Sequence, residues 1–304
     1  MRSSTAGSKA AAYSTQDISV VIPAHDRDHL LARAIESALS QTLKPREVII
    51  ADDLGLESTR ELVESHPEAS MVRYLDTSGG PRIGPGMSRN AGASASDGAF
   101  IAFLDDDDQW HPHYLAEVRS QFEKGVGVVV TWMQKELGGV RYPGGHIEVD
   151  VDFRTFRQYW GRGVTGSNTV VARASFLESG GYDEELWAME DWDFFRRVLA
   201  TGVDYRIVAD ELVIQDANGS DHLSSKSLRA AKAAELFLQK YRHVMTRQDL
   251  RRIRGHIHSM KRSRETPPPL RVVHLLAQLR YFEANDWRVS TIGRLRGEKP
   301  PLYK

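Results

Sequence analysis

The sequence predicts an α/β fold, a mixed sheet flanked by helices, and three observations carry that expectation. Short, continuously apolar runs alternate with segments of helical periodicity through the first third of the chain. Two of those runs stop abruptly at clustered carboxylates, at Asp52-Asp53 and at Asp105-Asp106-Asp107-Asp108. The chain is also long enough, at 304 residues and 41% hydrophobic content, for one large core with an appendage.

Residues 18–23 (ISVVIP) read as a first buried strand, ended by Pro23 and Ala24. Over 29–41, Leu30, Leu31, Ala34, Ile35, Ala38 and Leu39 share one helical face. A second strand covers 47–51 and ends at Asp52-Asp53, a short helix spans 59–66, and a third strand covers 71–75. A loop rich in glycine and proline, 78–86, leads into a helix over 87–94, and the next apolar run, 99–104, is a buried strand. Strand, helix, strand, helix, strand at this spacing argues a parallel, helix-flanked sheet. Further on, 126–132 and 166–172 read as strands and 191–200 as an amphipathic helix. Residues 223–245 are helical, Pro267-Pro268-Pro269 breaks the chain, and a last helix follows over about 270–284.

Composition narrows the function classes. A net charge of −1 selects neither nucleic acid nor membrane. The absence of cysteine excludes disulfides and thiolate chemistry and is compatible with a reducing cytoplasm. No apolar run approaches the roughly 20 residues of a membrane span. Residues 1–16 are small and polar, without a signal-peptide core, and are expected to be a disordered tail. From 241 to 264 eight Arg or Lys face a single acid, Asp249. This is either the solvated face of a helix or a weak electrostatic contact with anionic headgroups, a phosphorylated acceptor or a partner. Its apolar residues, Ile253, Ile257 and Met260, are too few for deep insertion.

Four adjacent carboxylates at the end of a buried strand repel one another, and a divalent cation removes that repulsion. Oxygen ligands suit Mg²⁺ or Mn²⁺. On an extended strand end Asp105 and Asp107 point one way, Asp106 and Asp108 the other. A solvated acidic turn is the alternative. The loop 79–86 before Arg89 combines glycines that admit a ligand with a helix start and a cation suited to an anion such as pyrophosphate. Glu190-Asp191 lies in a helix's first turn, where simple electrostatic capping competes with catalysis.

Taken in order, Ser19 to Arg27, Ile49 to Asp53, Ser88-Arg89-Asn90-Ala91-Gly92, Phe103 to Trp110, Gly180 to Asp183 and Glu190 to Asp193 resemble a family 2 glycosyltransferase of GT-A fold, a Rossmann-like mixed sheet. The resemblance covers about 17–210. It implies a metal-dependent, inverting transfer of a sugar from a nucleotide donor, a UDP-sugar, to an acceptor hydroxyl. Pro23, Ala24, Asp26 and Arg27 would line the nucleotide pocket, Asp52 would accept from the base, and Arg89 would meet the diphosphate. The family's Asp-x-Asp falls on Asp105, Asp106 and Asp107, with Asp107 the direct ligand to Mn²⁺ or Mg²⁺ and Asp105 near the ribose. His222 would complete the metal shell, or is an ordinary loop histidine. Asp191 would be the general base, with Glu190 orienting it or touching a donor hydroxyl. Trp187 would stack on a sugar, or is a core residue. Where the family continues its acid pair with glycine and serine, this chain has Leu54-Gly55-Leu56.

The implied organisation is a tail (1–16), a nucleotide-sugar-binding half (17–108), an acceptor-binding half carrying the base (109–222) and a C-terminal helical extension (223–304). The acceptor is a glycan, a lipid-linked sugar, a peptide or a small natural product. Nucleic acid is not expected, and membrane contact is at most peripheral, through 241–264, for a cytoplasmic protein. Two rivals remain. A sugar-1-phosphate nucleotidyltransferase would carry a glycine-rich loop directly after the first strand, where this chain has Pro23 to Arg27. A non-catalytic nucleotide-sugar-binding protein would be expected to lose the acids at Asp107 or Asp191.

Overall fold

The computed structural model describes residues 17–80, 84–147, 163–218, 227–263 and 265–281. Among them a single nine-stranded mixed sheet runs in the order β3-β2-β1-β4-β8-β6-β9-β5, with β7 paired to β6. The first part is parallel: β1 (Ile18–Ala24), β2 (Glu47–Asp52), β3 (Val72–Asp76) and β4 (Phe100–Phe103). Beyond β4 the pairing turns antiparallel, through β8 (Thr169–Ala172) to β6 (Val126–Leu137). Strand β9 (Asp204–Asp216) lies parallel to β6, while β5 (Gln109–Trp110) and β7 (Val140–Pro143) are short antiparallel additions.

The alternation of side chains sorts the central strands into two cores. Ile18, Val20 and Ile22 of β1, with Phe100 and Ala102 of β4, face helices α1 (Asp28–Leu39), α2 (Glu57–Glu64) and α4 (Tyr114–Ser120). Val21, Ile101 and Phe103 face the opposite layer of α3 (Pro85–Ala95), α5 (Arg173–Ser179) and α6 (Glu190–Ala200). Strands buried on both sides read as unbroken apolar runs, which is why they are legible in sequence. At the crossing of α3 over β1, a Cβ on Gly92 would run into Val21 Cγ1. The glycine of the Arg-Asn-Ala-Gly stretch thus permits close helix–sheet packing.

Two expectations change in detail. The strand expected over 166–172 opens as a 3-10 turn, Gly166–Asn168, because Thr165 and Asn168 cap one another. The helical 223–245 resolves into α7 (Leu228–Tyr241), started by Ser227, whose hydroxyl accepts from the Ala230 N–H at 3.0 Å. The basic stretch forms a separate helix, α8 (Arg247–Met260), opened by a Thr246–Asp249 capping box. Its Ile253, Ile257 and Met260 are buried in a third core with Ala230, Ala234 and Phe237 of α7. Helix α9 (Pro268–Leu279) follows.

Candidate active site

The chain leaves β1 towards β2 and β3 on one side and returns through β4 on the other. The carboxyl ends of β1 and β4 lie side by side, at the place where open α/β sheets bind ligands. His25 to Arg27 follow one and Asp105 to Asp108 the other. Asp106 joins them: its Oδ2 accepts from the His25 N–H at 3.1 Å and from Arg27 Nε at 3.3 Å, and its Oδ1 accepts from Arg27 Nη2. Arg27 Nη1 also donates to Asp107 Oδ2 at 2.7 Å. Burial pushes the Asp106 carboxyl up to about 7 against the pull of Arg27.

The alternation expected along the acidic run is not what forms. Strand β4 ends at Phe103, and the chain then turns, with the Asp108 N–H donating to the Asp105 carbonyl at 3.1 Å. Asp105, Asp107 and Asp108 consequently converge, each offering an oxygen within 4.8 Å of the others, while Asp106 turns to the β1 side. Asp108, which sequence reasoning placed outside the metal pattern, is buried and accepts from the Asp216 N–H at 3.2 Å. Burial, then the charges of Asp107 and Asp105, hold its carboxyl well above the usual range. Three convergent, crowded carboxyls suit a divalent cation with oxygen ligands.

Arg89, on α3, is 2% exposed and stands at the centre of the site. Its Nη2 donates to Asp105 Oδ1, and its Nη1 lies 3.5 Å from Glu190 Oε1 and 3.6 Å from Asp191 Oδ1. Its guanidinium sits over the Tyr182 ring, and a Cβ on Gly166 would meet its Nη2 at 2.8 Å. The neighbouring Asn90 accepts from the Tyr182 N–H at 2.7 Å and donates to the Tyr182 carbonyl at 2.9 Å. The Arg89-Asn90 and Gly181-Tyr182 stretches, distant in sequence, therefore interlock.

Glu190 and Asp191 open α6, presented by Met189 in the left-handed region (φ 68°). Burial and the charge of Asp191 push Glu190 up to about 8. Burial pushes Asp191 up to about 6, while Arg89 pulls it down. Asp191 Oδ1 is buried without a hydrogen bond. Helix α6 is fixed from its other side by Asp193, fully buried, which accepts from the Tyr241 hydroxyl at 2.6 Å and Arg197 Nε at 2.7 Å and pairs with Lys240 Nζ at 2.6 Å.

The remaining predicted residues divide. Pro23 and Ala24 are buried in β1 beside Ala51 and Asp52 of β2, and Asp26 is exposed at the mouth with φ 49°. Asp52 is fully buried and accepts from the Leu54 and Leu56 N–H groups at 3.0 and 2.7 Å and from the Tyr74 hydroxyl at 2.9 Å. It organises the Leu54-Gly55-Leu56 loop, a role that sequence reasoning did not assign. Asp53 meets His25 Nδ1 at 2.6 Å. Trp187 is half-buried, packed on Gly84 at the start of α3 and under the Arg229 guanidinium of α7. His222 lies outside the described residues.

The family model described as glycosyl transferase family 2 matches residues 19–177. Among curated proteins, the chain is 25% identical over 190 residues to the GalNAc(5)-diNAcBac-PP-undecaprenol beta-1,3-glucosyltransferase of Campylobacter jejuni, covering 57% of each. It is 30% identical over 201 residues to the uncharacterized glycosyltransferase YwdF of Bacillus subtilis, covering 62% of this chain and 69% of that one. The chain thus spans little more than half the length of the Campylobacter relative. Among solved structures, S. aureus TarS 1-349 in complex with UDP-GlcNAc superimposes with a TM-score of 0.58 at 14% identity, over 93% of each chain. That likeness establishes the fold, a GT-A glycosyltransferase fold. With its family's model matched over more than half of its 304 residues, the chain belongs to glycosyl transferase family 2.

Proposed function

We propose that this protein transfers a sugar from a nucleotide donor, a UDP-sugar, to an acceptor hydroxyl with inversion at the anomeric carbon. The observation that carries the reading is the adjacent carboxyl pair on α6, whose environments separate their protonation states. Burial and the charge of Asp191 favour the protonated form of Glu190, while Arg89 favours the ionised form of Asp191 against its burial. The unbonded Asp191 Oδ1 is an acceptor for the proton of an attacking hydroxyl. Arg89 keeps that carboxylate ionised inside a buried site and links it to Asp105 in the acid cluster.

Asp105, Asp107 and Asp108 would hold Mn²⁺ or Mg²⁺, which when bound supplies Lewis-acid charge to the donor's diphosphate. Pro23, Ala24, Asp26, Arg27 and the Asp52–Asp53 pair form the nucleotide side of the site, and Glu190 serves a sugar hydroxyl. The structures of TarS 1-349 in complex with UDP and with UDP-GlcNAc support a uridine donor. The name of the Campylobacter protein, acting on a polyprenol-linked saccharide, supports a lipid-linked sugar among the acceptor classes.

The test is a thermal-shift panel of UDP, GDP, dTDP and their sugars with Mn²⁺ or EDTA, followed by turnover of the donor identified. A metal-dependent shift with a uridine nucleotide is expected; a ligand at 100 times its Kd stabilises by about 2.7 kcal/mol. Asp191→Asn is expected to bind donor as the native protein does and to lose roughly 10²–10⁴-fold in kcat. A folded protein that responds to no nucleotide, or an Asp191→Asn variant with native turnover, overturns the proposal.

A further inference from the structure

Helix α9 is amphipathic in the wrong sense for a soluble surface. Its polar residues point inward: Arg271 Nε donates to the Thr266 carbonyl at 2.6 Å, His274 Nδ1 lies 3.1 Å from His258 Nδ1 of α8, and Gln278 is buried. Its apolar residues point outward, with Leu270, Val272, Val273 and Leu276 all at least half exposed and Leu275 beside them. Their i+3 and i+4 spacing gathers them into one stripe. A surface helix normally arranges itself the other way, and a contiguous exposed apolar stripe marks a docking surface.

Charge selects the occupant. From Tyr241 to Tyr281 ten Arg or Lys stand against two acids, while the whole chain carries 40 against 41. The basic charge is therefore concentrated in the segment that carries the apolar stripe, on an otherwise acidic protein. Arg247, Arg251 and Arg254 on α8 and Arg280 after α9 are exposed. A second copy docked on this face would bring two such cationic segments together. An anionic bilayer offers both of the missing complements, negative headgroups and an apolar interior. No helix among the described residues is long and apolar enough to cross a membrane, so the contact lies on the surface.

We infer that α9 is a membrane-docking helix that lays its Leu270–Leu276 stripe into an anionic lipid surface, with the arginines of α8 and Arg280 meeting the headgroups. The apolar contact belongs to α9 and not to the basic stretch, whose Ile253, Ile257 and Met260 are committed to α7.

The test is flotation of the full-length protein with phosphatidylcholine vesicles that contain or lack phosphatidylglycerol. Binding is expected only with the anionic lipid and is expected to fall with added salt. Val273→Asp with Leu276→Asp, both at exposed positions, is expected to lower the vesicle partition coefficient roughly tenfold or more with the melting temperature unchanged. Arg251→Gln with Arg254→Gln is expected to lower it about 25-fold, since each basic residue near the surface contributes about fivefold. No flotation with anionic vesicles, equal flotation with neutral ones, or unchanged binding of the Val273→Asp/Leu276→Asp variant would overturn the inference. A dimer that this variant converts to a monomer, without flotation of the native protein, would assign the face to a second copy instead. Nucleotide thermal shifts on the same preparations report separately on the sugar-transfer site.

Discussion

Replacing Arg89 by glutamine would expose how the candidate site is held together. The side chain is 2% exposed and is the cation facing Asp105, Glu190 and Asp191. Glutamine keeps much of the shape and none of the charge, so the carboxyls are left in a buried site without their counter-ion. Breaking a buried ion pair from one side costs about 3–5 kcal/mol, which for a domain of this size lowers the melting temperature by roughly 6–20 °C. The loss should depend on pH in a defined direction. Burial, with the charge of a neighbouring acid, pushes Glu190 up to about 8 and Asp191 up to about 6, above the usual carboxylate range. The folded protein therefore retains protons that the unfolded chain has released. The stability tied to that retention is full below about pH 4 and is lost as pH rises through about 6 and then about 8. Arg89 lowers both values, so its removal moves them further up and enlarges the loss at high pH. Differential scanning calorimetry of the apo proteins should show the gap between native and Arg89→Gln widest near pH 8 and narrowing towards pH 5. A gap that is constant over that range, or smaller than about 2 °C at pH 8, would refute the claim that Arg89 compensates these carboxyls.

Asp108→Asn should weaken Mn²⁺ binding in the presence of UDP by roughly 10–100-fold, as read by calorimetric titration. An unchanged Mn²⁺ affinity would confine Asp108 to bracing the Asp216 backbone. Tyr241→Phe removes one donor from the buried Asp193 carboxylate and should cost about 1–3 kcal/mol in urea unfolding. A neutral result would mean that α7 does not fix α6 through this bond.

What the sequence discloses and what it hides follow different physics. Strands β1, β2 and β4 are buried on both faces, so local composition alone reports them, and their carboxyl ends locate the site. Strand β9 gives no comparable signal: Asp210 and Glu211 interrupt it, and its pairing to β6 shifts register. The acidic run was legible as a site but not in its geometry. Alternation applies only while the chain stays extended, and the turn closed by the Asp108 N–H and Asp105 carbonyl regroups the carboxyls. Asp52 presented the same difficulty: the acid was visible at its strand end, but its loop bonds depend on where Leu54 and Leu56 fold back.

Periodicity finds a helical face without saying what that face meets. The apolar stripe of α9 and that of α1 look alike in sequence, yet α1 buries Leu31, Ile35 and Leu39 while α9 exposes Val272, Val273 and Leu276. The same limit bears on the proposed base. The family model ends at residue 177, before Glu190 and Asp191 and before all of α7 to α9. What brings Asp191 to the acid cluster is Arg89, 101 residues before Glu190, and what steadies its helix is Tyr241, 48 residues after Asp193. Neither partner is implied by a local pattern, because each pairing is closed by the sheet's topology. The position of Asp191 is therefore set jointly by the family core, through α3, and by the C-terminal helices, through α7. A perturbation of either should move this carboxylate without touching the nucleotide side of the site.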